Sequence, residues 1–101
     1  MTVIAKPSTT ITCRGPLEVD YKNHVALFQN NVRVVDQRGE ITSDQMEVFF
    51  DKDLETIQRI IATGNVRIQQ GENVTQSDRA EYDVTEGKVT LSQQPQLQVT
   101  P

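Results

Sequence analysis

Three features of this 101-residue chain predict an all-β fold. Short alternating runs rich in Val, Ile and Thr are divided by Gly, Pro, Asn and Asp about every eight to twelve residues. No stretch shows the apolar spacing of an ordinary amphipathic helix. The chain also repeats itself: Asn31-Val32-Arg33 returns as Asn65-Val66-Arg67 and Ser43-Asp44 as Ser77-Asp78, each 34 residues on. Between these anchors the copies align without a gap, Val34 on Ile68 and Glu47 on Glu81. A repeated strand-turn-strand unit lays down the same piece of sheet twice, and the copies must stack to cover their apolar faces. The expectation is a sandwich, jelly roll or barrel of short antiparallel strands.

In order, residues 1–8 read as a flexible N-terminal arm punctuated by Lys6-Pro7-Ser8, and residues 9–101 as one domain. Thr9 to Arg14 is β-rich and ends at the turn pair Gly15-Pro16. Leu17 to Tyr21 alternates; Lys22-Asn23-His24 turns the chain and Val25 to Phe28 returns. Gln29-Asn30-Asn31 reads as the next turn, Val32 to Asp36 as a strand, and Gln37-Arg38-Gly39 as a tight hairpin loop. Glu40 to Phe50 changes phase near Asp44-Gln45, where a bulge or corner is expected. Thr56 to Thr63 has spacing compatible with a helical turn, but three isoleucines favour strand. The second copy follows as short strands to Gln96–Thr100, about a dozen strands of four to six residues in all.

Composition narrows the chemistry. The net charge is −4 with Lys and Arg scattered singly, which argues against nucleic acid as a partner. The longest apolar run, Val25 to Phe28, cannot span a bilayer, so no transmembrane segment is expected. The first residues lack the apolar core of a secretory signal: the chain is either cytosolic or begins after a removed targeting segment. The lone Cys13 excludes an internal disulfide and reads as a small buried side chain. With a single histidine, His24 in a turn, neither a cupin-type metal nor a Ser-His-Asp set is available. Asp44 and Asp78 occupy equivalent places, which suggests a carboxylate dyad; a repeated corner bonding local backbone N–H groups is the better reading. No catalytic residue, metal or cofactor is expected.

What remains is binding. Alternation turns Val25, Leu27, Val34, Ile41, Ile61 and Ile68 inward, among others, with few large rings to plug gaps. Such an interior is either an ordinary packed core or an apolar slot suited to linear acyl chains, at about 0.8 kcal/mol per buried CH₂. A carbohydrate-binding surface would need outward aromatics, which the alternation does not supply.

The stretches Gly64 to Ile68, Ser77 to Asp83 and Glu86 to Leu91, followed by Pro95, resemble the OstA-like repeat of the LptA and LptC proteins and the LptD N-terminal domain. Pro16 to Tyr21, Asn31 to Val34 and Ser43-Asp44 resemble it again, in the manner of LptC-related proteins, so the likeness covers roughly residues 10–99. It implies a twisted, open-ended β-jelly roll and a non-enzymatic periplasmic part in lipopolysaccharide transport and outer-membrane biogenesis. Lipid A acyl chains would lie between two sheets, lined by Met46, Val48, Phe50, Ile68, Ala80, Tyr82 and Leu91. Jelly-roll domains, of Lpt type or copies of this chain, would join edge to edge through Thr10, Ile11 and Thr12 and through Leu97, Gln98 and Val99. The alternative is an adaptor β domain with a closed core and protein partners only.

Overall fold

The computed structural model describes residues 2–5, 9–53, 55–92 and 95–98, and none of these is helical. The strands are β1 (Thr2–Ala5), β2 (Thr9–Thr12), β3 (Leu17–Asp20), β4 (Val25–Val35), β5 (Glu40–Phe50), β6 (Ile57–Gln70), β7 (Asn73–Asp83), β8 (Lys88–Ser92) and β9 (Gln96–Gln98). They form one wholly antiparallel sheet ordered β1-β2-β4-β5-β6-β7-β8, with β3 also on β4 and β9 also on β7. Because β2 and β3 pair with successive halves of β4, and β8 and β9 with successive halves of β7, the chain is a meander of long bent strands. This is the expected jelly roll, with fewer and longer strands than the turn signals suggested. The segment from Thr56 is strand, as its isoleucines favoured.

The difference lies at the anchors of the repeat. The register slips between Gln29 and Val32, between Thr42 and Gln45, and between Thr63 and Val66. Asn30, Asn31 and Asn65 take φ values of 68°, 53° and 49° there. Asparagine tolerates this left-handed backbone and so suits a reversal or a bulge equally. Here it bulges the strand without reversing it. The slips lie side by side across β4 to β7 and make a single crease. Ser43 and Ser77, both buried, donate their hydroxyls to the carbonyls of Gln45 and Arg79 at 2.9 Å in each case. The neighbouring serines thus bond the local backbone at its carbonyls, not at the N–H groups expected of Asp44 and Asp78, and Asp44 accepts from the Asn65 side-chain amide at 2.9 Å. Gly64 has φ +83°, and a Cβ there would lie 2.7 Å from Asp44 Oδ2, so both backbone and space require glycine.

The crease divides the sheet into two layers whose inner faces share one core. Across one layer, Ile11, Val34, Ile41 and Ile68 stand opposite one another in register. Across the other run Phe28, Met46, Ala62, Ala80 and Leu91, and beside them Ala26, Val48, Ile60, Tyr82 and Val89. Val25, Leu27 and Ile61 therefore face outward, contrary to the alternation reading. In a run of four apolar residues the phase is ambiguous, and burying the Phe28 ring decides it. Cys13 is buried, as expected.

The N-terminal segment also differs. Thr2–Ala5 pairs along its length with Thr9–Thr12, so β1 extends the sheet where an arm was expected. Its composition, Thr-Val-Ile-Ala, favours extended backbone. Met1 and residues 6–8 lie outside the described residues.

Candidate functional site

The space between the layers is packed over most of its length. Phe28, Met46 and Val48 are fully buried, and Ala80 is nearly so. Toward the tip of the β4–β5 hairpin the layers separate and leave a cavity of about 190 Å³. One layer supplies Val34, Ile41 and Ile68 to it and the other supplies Tyr82 and Val89. The cavity opens to solvent beside Asp36, Arg38 and Gly87.

Local chemistry explains the rim. Asp36 Oδ1 accepts the backbone N–H groups of Arg38 and Gly39 at 2.8 and 3.1 Å, and the Asp36 N–H reaches the Gly39 carbonyl, which closes the turn. Gly39 lies so close to β6 that a Cβ would run into the Gln69 carbonyl oxygen, which fixes the hairpin tip on the neighbouring strand. From this tip Arg38 extends its guanidinium over the Tyr82 ring, 5.3 Å from its centroid, and comes within 3.9 Å of Asp36. Burial raises the Tyr82 phenol above the ordinary 10.0, with the positive charge of Arg38 pulling the other way. At the rim, Glu40 is held by Arg33 through bonds of 2.8 and 3.1 Å, which lowers its carboxyl below the usual range.

All seven residues expected to line the interior lie in or against the core, but they do not share one environment. Ile68 and Tyr82 border the cavity. Met46, Val48 and Ala80 are enclosed by neighbouring side chains, and Phe50 and Leu91 are partly buried against them. Val34, Ile41 and Val89 belong to the residues expected to face inward, though not to the seven favoured for the lining, and in the sequence Arg38 reads only as part of the hairpin loop. The alignment of Val34 with Ile68 in the repeat was the available signal, because equivalent residues occupy equivalent faces.

Of the expected joining strands, β2 is covered by β1, and Ile11 is fully buried. The outermost strand on that side is therefore β1 rather than Thr10, Ile11 and Thr12. On the other side β9 pairs with β7 alone among the described residues, placing Leu97 and Gln98 at an edge. Val99 and Thr100 lie outside the described residues. Leu97 stands opposite Thr75, on the inner face with Ile68, yet is 65% exposed. Val89, at the β8 edge, is 40% exposed. The apolar face thus runs uncovered to this border.

Among the described residues, no cluster of His, Cys, Asp or Glu could hold a metal ion, and no helix is long and apolar enough to cross a membrane. No curated protein matches the chain. Among solved structures, it is similar to LptH of Pseudomonas aeruginosa, described as the LptA homologous periplasmic component of a conserved lipopolysaccharide transport device. The identity is 13% over 92% of this chain and 95% of that one, with a TM-score of 0.47. The family described as LptA/(LptD N-terminal domain) LPS transport protein matches residues 16–100. Spanning most of the chain and both copies of the repeat, that match makes this protein a member of the LptA and LptD N-terminal-domain family of lipopolysaccharide transport proteins.

Proposed function

We propose that this domain acts in the periplasm as a non-enzymatic link in lipopolysaccharide transport, holding lipid A acyl chains between its two layers. The supporting observation is the apolar opening between the layers at Val34, Ile41, Ile68, Tyr82 and Val89. At about 190 Å³ it is smaller than the roughly 300–1,000 Å³ usual for ligand sites. Chains longer than a few carbons therefore require the layers to part at the mouth. The domain joins others of its kind along the β8–β9 border, where Leu97 and Val89 leave the apolar face uncovered and the outer backbone groups of β9 can accept another strand. Continuation of the sheet there would cover both side chains.

The packing of Phe28, Met46 and Val48 favours a second reading, an adaptor that binds proteins only. Photo-crosslinking to lipopolysaccharide separates the two. Probes at Ile68 and Leu91 are expected to capture it, and a probe at Glu47, on the outer face, is not. Equal, negligible capture at all three positions overturns the lipid reading and leaves the adaptor.

A further inference from the structure

We propose that the mouth beside Arg38 is a binding site for a linear alkyl chain bearing an anionic head, the chain entering between the layers and the guanidinium taking the head. This assignment rests on the reading of the interior as a lipid space. It adds a polarity, a head-group chemistry and a residue.

The chemistry at the rim supports it. The five apolar lining residues leave a passage of about 190 Å³. An apolar cavity of about 150 Å³ holds a benzene molecule, so roughly six carbons of one chain fit here before anything moves. Around the opening, the acidic groups are already engaged. Glu40 is bonded by Arg33 through both oxygens, and Asp36 Oδ1 is occupied by the backbone of its own turn. Arg38 is the cation that borders the cavity. Its side chain is about half exposed, and its contacts lie at the surface: the Tyr82 ring face at 5.3 Å, a hydrogen bond to the Tyr82 phenol and the Asp36 carboxylate at 3.9 Å. Exposed contacts of this kind contribute little, whereas a planar guanidinium binds a carboxylate or phosphate through paired, charge-assisted hydrogen bonds. A head group can therefore draw the guanidinium off Tyr82. The backbone beneath it stays in place, because Gly39 is set against Gln69. Over Tyr82 the guanidinium stands at the entrance; swung outward onto an anion, it leaves the entrance wider.

Methyl NMR of the full chain, titrated below micelle-forming concentrations with octyl phosphate, octanoate and octyl glucoside, tests this. The methyl signals of Val34, Ile41, Ile68 and Val89 are expected to move with all three. Both anions should bind about tenfold more tightly than the glucoside, which carries the same chain without charge. The ratio between the two anions separates a phosphate head from a carboxylate. Arg38→Met should erase the advantage of the anions while chain binding persists, and Arg38→Lys should restore part of it. Equal affinity for anion and glucoside, or an advantage that survives Arg38→Met, overturns the head-group assignment and leaves the lipid interior standing. If none of the three ligands moves these methyl signals, the lipid interior falls as well.

Discussion

The two ends of the inter-layer space are built from the same kinds of residue and behave differently. Around Phe28 and Met46 the rows of both layers mesh, and side chains in the row are completely buried. Around Tyr82 and Val89 the same inner face is half covered, and the rim is polar. The difference is one of packing and coverage. Phe28 is the largest of the fully buried side chains and plugs its end, with the small Ala26, Ala62 and Ala80 allowing the layers to close around it. At the mouth Val34, Ile41 and Ile68 of one layer line the cavity with Tyr82 and Val89 of the other, and the sheet ends at β8. One end supplies stability. The other leaves a cavity of about 190 Å³.

Substitutions can break that contrast. Phe28→Ala should be the most damaging, costing about 3–5 kcal/mol in urea or thermal denaturation through lost burial and a cavity. A loss below about 1 kcal/mol would show that the closed end is not the stabilising one. Next is Gly64→Ala at the crease. The left-handed backbone alone should cost roughly 1–2 kcal/mol, with the clash against Asp44 added, and trimming Asp44 to alanine should relieve only the contact with its carboxylate while giving up its bond from Asn65. Val89→Ala, at the mouth, should change stability by less than about 0.5 kcal/mol. A cost comparable to Phe28→Ala would erase the distinction between the ends.

Titrations sharpen the contrast further. With Tyr21→Phe leaving one tyrosine, tyrosinate absorbance should give Tyr82 a midpoint above 10.0, and Arg38→Met should raise it again by removing the charge that favours the phenolate. Because the folded value is raised, the stability linked to Tyr82 is present below that pH and lost as pH climbs through its midpoint. The smallest effect belongs to Glu40. Its carboxyl is lowered in the fold, so its contribution is present above about 4.5 and fades as pH falls through the folded value. Glu40→Gln should flatten that slope in acid denaturation.

Much of this was legible in the chain. The 34-residue repeat and the alternation indicate an antiparallel β structure whose copies share a core, and both copies meet at equivalent bulges. Two things were not. Asn30-Asn31 and Gly64-Asn65 carry the signature of a turn, yet the strand continues through them, because left-handed residues serve bulges and reversals alike. The phase of Val25 to Phe28 and of Ile60-Ile61 could not be set by alternation alone, since the ring of Phe28 and the slip beside Phe50 determine which residues enter the core. The mouth depends on Arg38 reaching a ring 44 positions away, a tertiary event without local signal.

The crease has a bearing on growth. Asn31 and Asn65, equivalent in the repeat, sit two strands apart on the same fold line. Any further copy of the unit would carry its own bulge to the next place on that line. The folded sheet would then lengthen like a roof gutter, by about 10 Å per copy at the usual strand spacing, with its cross-section unchanged.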